Sequence, residues 1–334
     1  MKAVLCKEHG LPEKLVIEDI DPPKAGPGEI LVDVHAASVN FPDYLIIQNK
    51  YQFKPDLPFS PGSEVAGVVA AIGDGVTHYK AGDKIIGLCG HNGFREQTTI
   101  SAMACMPMPA AMDYKTGAAI MMTYGTSYYA LKQRANLQSG ETILIMGASG
   151  GVGLAAVDLA KSMGAKVIAA ASTEDKLTIC RDYGADETIL YPTGEMDNEQ
   201  AKAFSNQIKT LSDGKGVDVI YDPVGDVYAE PALRAMAWNG RYLVIGFAAG
   251  EIPRVPLNLT LLKGCAVVGV FWGQFTKLEP EASAQNMREL MEMEADGRIK
   301  PHISKVFTFE QTPEAIDFIG ARKATGKVVV EVRG

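Results

Sequence analysis

Between Ile145 and Leu154 the chain reads Ile-Met-Gly-Ala-Ser-Gly-Gly-Val-Gly-Leu, which places glycines at 147, 150, 151 and 153. Backbone without side chains can approach a pyrophosphate closely. Gly150 and Gly151 give that access, and Gly153 lets a helix pack close to the preceding strand. A helix beginning near Val152 adds free N–H donors and a partial positive charge at its N-terminus. The loop is not a Walker loop, because no Gly-Lys-Ser/Thr closes it. A glycine-rich turn alone is a weak signal. Here Thr142 to Met146 reads as a strand and Lys166 to Ala170 as the next. Between them Val152, Ala155, Ala156, Leu159, Ala160 and Met163 recur at helical spacing. Strand, loop, helix and strand in register predict dinucleotide binding, although Ala148 stands where the fingerprint prefers glycine.

The tip of that second strand bears on the choice of dinucleotide. It runs Ala170-Ala171-Ser172-Thr173-Glu174-Asp175-Lys176, with no acidic residue at the strand's end to accept from ribose hydroxyls. Lys176 can meet a 2′-phosphate, with Ser172 and Thr173 as hydroxyl donors. Hydrogen bonds to a charged group contribute roughly 1.5–3 kcal/mol, enough for about tenfold or more in cofactor choice. The plainer alternative is that Glu174 and Asp175 favour a helix N-terminus and Lys176 is solvated. The balance predicts NADPH over NADH.

These groups need a frame. Ile30 to Val34, Val65 to Ile72 and Ile85-Ile86 are short β-type runs punctuated by turns such as Pro22 to Gly28 and Ala81 to Lys84. They predict a barrel-like β domain near the N-terminus. From about residue 125 strands and helices alternate. Helix is expected over 176–183 and around 228–238, and strands over 188–191, 217–221, 242–245 and 266–271. That alternation is the mark of a doubly wound parallel sheet. Beyond it, 280–295 and 313–322 read as helices and 307–309 and 327–332 as strands.

The bulk properties exclude several classes. A chain of 334 residues suits two domains, and 47% hydrophobic with 22% charged residues is a globular composition. The net charge of −8 and the lack of a Lys/Arg block oppose a nucleic-acid partner. The most apolar stretch, Ile143 to Ala171, carries Asp158, Lys161 and Lys166, which argues against a membrane span. Charges at Lys2, Lys7 and Glu8 interrupt the N-terminus too soon for a signal peptide, so the expected compartment is the cytoplasm. The five cysteines, at 6, 89, 105, 180 and 265, are too widely spaced for a metal pair or a disulfide framework, and read as buried or partly buried free thiols.

Pro61-Gly62-Ser63-Glu64-Val65-Ala66-Gly67, the glycine-rich loop and Tyr221-Asp222-Pro223-Val224-Gly225 occur in that order. With them the chain resembles the medium-chain dehydrogenase/reductase superfamily, and more narrowly its zinc-free quinone oxidoreductase (zeta-crystallin-like) branch. The resemblance implies an α/β fold: a Rossmann doubly wound parallel sheet plus a GroES-like β-barrel catalytic domain. Its expected boundaries are 1–123 and 273–334 for the catalytic domain and 124–272 for the NADPH-binding domain. Zinc-dependent relatives carry cysteine in the motif that here reads Ser38-Val39-Asn40-Phe41-Pro42-Asp43, and Gly-His-Glu where this chain has Gly62-Ser63-Glu64. Zinc prefers imidazole and thiolate, so no metal is expected, and His78, His91 and His302 are expected on the surface.

Without a Lewis acid to stabilise an alkoxide, the fitting substrates are quinones and α,β-unsaturated carbonyl compounds, already activated toward hydride. The resemblance implies Asn40 and Thr126 near the nicotinamide and Tyr51 near the substrate, with neighbouring Tyr44 an equal candidate for the latter. Lys176 and Tyr191 are implied to flank the 2′-phosphate. Val224, Gly246-Phe247-Ala248 and Phe271-Trp272-Gly273 are implied to line the nicotinamide half, beside Gly150, Gly151, Val152 and Gly153 at the pyrophosphate. Each has a bland alternative: Asn40 a turn former, Thr126 a helix cap, the aromatics ordinary packing. Competing functions are an enoyl- or acryloyl-CoA reductase, for which the N-terminal part shows no basic cluster, and a non-catalytic NADPH-binding structural or RNA-binding protein, which the acidic charge disfavours. The apolar run Cys265 to Phe271 is expected to be buried on both faces. As the last strand of its sheet it also lies at the edge, where the family pairs it with a second copy in a homodimer.

Overall fold

The N-terminal apolar runs form strands that stop where glycine, proline or a charged turn interrupts them. They are β1 (Lys2–Leu5), β2 (Val16–Asp19), β3 (Glu29–Val39), β4 (Glu64–Ile72), β5 (Lys84–Leu88), β6 (Gln97–Ser101) and β7 (Cys105–Pro107), with α1 (Phe41–Ile46) after β3 and α2 (Tyr114–Tyr129) at the end. The computed structural model describes residues 1–333. They fall into two compact units, Met1–Met122 with the chain from Pro301 onward, and Thr123–Lys300.

The second unit carries β8 (Thr142–Ile145), α3 (Gly151–Ser162), β9 (Lys166–Ala171), α4 (Glu174–Asp182), β10 (Glu187–Leu190), α5 (Asn198–Leu211), β11 (Val217–Asp222), α6 (Ala229–Arg234), β12 (Met236–Val244), α7 (Asn258–Lys263), β13 (Ala266–Gly269), α8 (Trp272–Leu278) and α9 (Pro280–Ala295). Its six strands are ordered β10-β9-β8-β11-β12-β13, all in parallel register. The chain starts in the middle, steps outward to β10, then returns to β11 beside β8. The strand order therefore reverses where β8 ends, which is where a doubly wound sheet places its ligand. Leu144, Met146, Ile168, Ala170 and Ile220 pack under one face with Phe204 and Ile208 of α5.

The chain then returns to the first unit with β14 (Ile303–Thr308), α10 (Thr312–Gly320) and β15 (Lys327–Glu331). β15 pairs parallel with β14 and antiparallel with β3, giving a seven-stranded sheet in the order β14-β15-β3-β4-β5-β7, with β6 also on β3. At the β3–β4 crossing a Cβ on Gly67 would lie 2.1 Å from the Asp33 carbonyl oxygen, so only glycine allows that approach. Ile30, Val32, Val34, Phe59, Val65, Ile85, Phe94, Phe307 and Val328 form the core of this unit.

Three expectations need correction. The return occurs at Pro301 and not at 273, because α8 and α9 stay with the second unit. Phe275 stacks on Tyr129 at 4.1 Å, Lys132 pairs with Glu289 at 2.5 Å, and Gln133 bonds Asn286 at 2.8 Å. The helix expected around 228–238 is only the short α6, because Met236 onward joins β12 beside β11. Finally, β13 is the edge strand as expected, but it is not buried on both faces, since Ala266, Val267 and Gly269 are exposed.

Candidate active site

The glycine-rich loop turns from β8 into α3 as its sequence requires. Gly147 takes φ +55°, and a Cβ on Gly153 would lie 2.2 Å from the Gly147 carbonyl oxygen, closer than any side chain permits. Gly150 has an ordinary φ of −76° and an open position, where a Cβ would meet only the Gly147 oxygen at 3.4 Å. Gly153 is thus fixed by the fold, whereas Gly150 is free of internal constraint. Ala148 departs from the fingerprint because its methyl is buried and its N–H donates to the Ala170 carbonyl at 3.0 Å, tying the loop to β9. No side chain caps α3, so the first-turn amides of Gly151, Val152 and Gly153 stay available to an anion.

At the tip of β9 the Thr173 hydroxyl caps α4 by accepting from the Lys176 N–H, and Lys176 Nζ reaches Ser172 Oγ at 3.4 Å. These three residues sit together. Glu174 is engaged by Arg181 at 2.6 Å in the first turn of α4, which is the helix-start role open to it in the sequence. Tyr191 follows β10 but its ring is buried, 4.8 Å from Tyr228 and 6.4 Å from Phe204. It supports the β10 end as core.

The residues after β11 and β12 also meet. Asp222 is buried and its Oδ1 accepts from the Val224 and Gly225 amides at 2.8 and 2.9 Å, while the Tyr242 hydroxyl donates to Oδ2. Burial raises the Asp222 carboxyl, and those three donors pull it back. The Ala248 N–H donates to the Pro223 carbonyl at 2.9 Å, binding Gly246-Phe247-Ala248 to this turn. Val224 in turn lies against Gly147 of the phosphate loop. Ser127 joins α2 to the same region, donating to the Val152 carbonyl at 2.9 Å and lying 2.8 Å from the Tyr221 hydroxyl. Thr126 is half-buried within α2 and is not a cap. Trp272 is buried against Gly125, Phe271 is exposed, and a Cβ on Gly273 would meet only the Phe271 ring, at 3.8 Å.

In the first unit, register assembles a buried polar network. β15 sets Val328 opposite Val39, and β4 sets Glu64 opposite Ser38, so Lys327, Asn40, Ser38 and Glu64 come side by side. Lys327 is 3% exposed and Glu64 fully buried. Lys327 Nζ donates to Asn40 Oδ1 at 2.7 Å and to Glu64 Oε2 at 3.1 Å. The same oxygen accepts from Ser38 Oγ at 2.6 Å and Asn40 Nδ2 at 3.4 Å, and Glu64 Oε1 accepts from the Met122 N–H at 2.9 Å. The Asn40 amide therefore cannot flip: its oxygen is committed to an ammonium and its nitrogen to Ser38 and Glu64. Asp43 closes the cluster, its oxygens accepting from the Asn40 and Gly62 amides at 2.7 and 3.0 Å. Burial raises its carboxyl to about 6, partly offset by those amides and by Lys327. The Ser63 hydroxyl is buried with no partner.

Sequence reasoning missed Lys327 and Ser63. The signal for Lys327 was a lysine opening a strand ahead of three consecutive valines, at Lys327-Val328-Val329-Val330. Tyr44 and Tyr51 both pack against the core, but the Tyr44 ring covers Gly320 of α10. Tyr51 is half-buried, and burial followed by the Asp43 charge raises its hydroxyl.

The donor set does not fit zinc. Ser38, Asn40 and Ser63 offer neither thiolate nor imidazole, an ammonium already sits on Glu64, and the Asp43 oxygens are taken by the Asn40 and Gly62 amides. Among the described residues no group of three His, Cys, Asp or Glu side chains is placed to hold a metal. Of the histidines expected on the surface only His78 is exposed. His91 is half-buried against Phe53 and Phe59, and His302 is half-buried beside Gly326.

Residues 26–110 match the family model of the alcohol dehydrogenase GroES-like domain, and residues 151–292 that of the zinc-binding dehydrogenases. The chain is 40% identical to a quinone oxidoreductase-like protein 2 homologue of Nematostella vectensis, across 99% of this chain and 89% of that protein. It is 34% identical to the quinone oxidoreductase of Homo sapiens, across 99% and 97%. Its structure superposes on an Escherichia coli quinone oxidoreductase complexed with NADPH with a TM-score of 0.89 at 27% identity, covering 99% of this chain and all of the other.

Proposed function

Since the chain belongs to the quinone oxidoreductase-like branch of the medium-chain dehydrogenase/reductase superfamily, we propose that it reduces quinones or α,β-unsaturated carbonyl compounds with NADPH and without a metal. Bound NADPH supplies the hydride, and the chain supplies binding and charge stabilisation. The phosphate loop and the uncapped α3 amides hold the pyrophosphate. Lys176, Ser172 and Thr173 face the 2′-phosphate, and Val224, Gly246-Phe247-Ala248 and Phe271-Trp272-Gly273 border the nicotinamide half. Thr126 is assigned beside the nicotinamide ring, with Tyr191 backing the phosphate site from the core. Asn40, its amide held by Lys327, Ser38 and Glu64, is assigned near the nicotinamide, and Tyr51 beside the acceptor. Tyr44 is set aside because its ring is spent on Gly320.

The observation that carries the metal-free reading is the Lys327–Glu64–Asn40–Ser38 network. An ammonium and hydrogen-bond donors stand where a metal would need soft ligands. A quinone or enone needs only such donors as negative charge develops on its oxygen. Turnover of NADPH with a quinone, an enone and an enoyl-CoA ester, beside an RNA mobility-shift assay, tests the reading. Quinone and enone should turn over and RNA should not shift. Turnover confined to the CoA ester, or RNA retention without turnover, would favour the competing functions.

Cofactor choice gives a sharper expectation. Lys176→Glu should weaken NADPH by at least about tenfold more than NADH, because it replaces attraction at the 2′-phosphate by repulsion. Equal losses measured by fluorescence titration would exclude Lys176 as the phosphate partner.

The same reading includes a homodimer through β13. That strand ends the sheet with Val267 44% exposed, and Leu257, Leu261 and Leu262 around α7 are exposed by 77%, 79% and 70%. An open apolar edge invites pairing, and a second copy running antiparallel would extend the sheet and cover these leucines. Val268→Pro should shift light-scattering mass toward the monomer by removing a backbone N–H donor from the edge strand. A monomer for the unmodified protein at micromolar concentration would contradict the assignment. No described helix is long and apolar enough to cross a membrane. The free thiols suit a reducing compartment, which supports the cytoplasm as the place of action.

A further inference from the structure

We propose that a cavity in the first unit, between the loop after α1 and the segment leading into β6, is a binding site for a small organic carboxylate. It measures about 390 Å³, the size of a small-ligand site, and its walls include Phe53, Lys54, Asp56, His91 and Arg95. Arg95 follows the fully buried Phe94 and bridges to Ala3 of β1, so its side chain is turned away from the core that Phe94 fills.

Arg95 is the anomaly that calls for a ligand. Its Nε is buried with no hydrogen-bond partner, and its guanidinium forms no ion pair with a described residue. A buried polar atom without a partner is rare in native proteins, and a partly buried cation without an anion is costly. Burial lowers the Arg95 guanidinium from its ordinary value. His91 is lowered first by burial and then by the Arg95 charge, which puts the imidazole within electrostatic reach of the same cavity. Neither Lys54 nor Asp56 quenches the charge, since neither is in an ion pair.

The same walls indicate what kind of anion fits. A guanidinium fork matches the two oxygens of a carboxylate. Phe53 is 51% exposed with its ring 5.6 Å from His91, which leaves a flat apolar wall for the body of the ligand. Asp56 at the wall disfavours a doubly charged phosphate, so the site suits a monoanion on an aromatic or apolar frame. All of these residues belong to the first unit, and the inference does not depend on the identity of the electron acceptor.

Thermal denaturation with benzoate, inorganic phosphate and neutral benzamide tests it on the intact protein and on Arg95→Met. Benzoate should raise the melting temperature saturably, by roughly 2–4 °C, more than phosphate, with no effect from benzamide. Arg95→Met should abolish the benzoate shift while melting, without ligand, at the same or a higher temperature, because it removes an unpaired charge and keeps the aliphatic stem. A structural arginine gives the opposite pattern: Arg95→Met melts lower, or keeps its response to benzoate. Either of those results overturns the site, as does the absence of any benzoate shift in the unmodified protein. A larger shift with phosphate than with benzoate overturns the carboxylate assignment.

Discussion

Lys327→Met is expected to destabilise the protein by about 3–5 kcal/mol, among the largest effects a single substitution can have here. The reason is the state in which it leaves its partners. Glu64 is fully buried, and without the ammonium its charge faces only hydroxyl, amide and backbone donors. Asn40 Oδ1 loses its partner at the same time. Breaking a buried pair from one side costs more than removing it whole, so Glu64→Gln added to Lys327→Met should recover part of the loss. Urea denaturation of both single variants and the double variant gives the coupling energy. Additive losses would show that the pair does not act as a unit. In kinetics the folded fraction of Lys327→Met should lose kcat by about tenfold or more, with KM for NADPH little changed, since the freed amide no longer holds one orientation. A conservative Lys327→Arg should restore part of that rate if charge on Asn40 is what matters.

The second large effect separates two glycines only three residues apart. Gly153→Ala would push a methyl to 2.2 Å from the Gly147 oxygen, so loop and helix must move apart. Such overpacking costs about 1–3 kcal/mol, and both the melting temperature and NADPH affinity should fall. Gly150→Ala meets nothing closer than 3.4 Å at an ordinary φ, so the protein should fold and melt normally. Its NADPH affinity should still drop by about tenfold or more, because the methyl occupies the approach reserved for the pyrophosphate. Unchanged NADPH affinity in a normally folded Gly150→Ala variant would remove the phosphate from this loop.

The second unit was legible because its signals are local. A strand, four glycines and a helix with apolar residues at regular spacing occupy one continuous stretch, and each demands the others. Ala148, the departure from the fingerprint, was explained only by the fold, through a methyl and an amide both committed to β9. The Lys327–Glu64–Asn40 network was opaque because it is made by register across β15, β3 and β4. Its lysine stands 263 residues from its carboxylate partner. No periodicity or spacing reports that pairing. The extent of the return segment was misjudged for a similar reason, since Phe275 and Glu289 find their partners on the helix at Tyr129 and Lys132. Tyr191 read as a phosphate neighbour by resemblance, yet its ring is claimed by Phe204 and Tyr228.

In the proposed function this fold transfers hydride from NADPH with hydrogen-bond donors and a buried ammonium in place of a metal. Steady-state NADPH oxidation with a quinone acceptor, after exhaustive dialysis against a strong chelator and with elemental analysis of the same sample, tests it most directly. Turnover should be undiminished while zinc is far below one equivalent per chain. Activity that disappears on chelation and returns with stoichiometric zinc would contradict metal-free transfer.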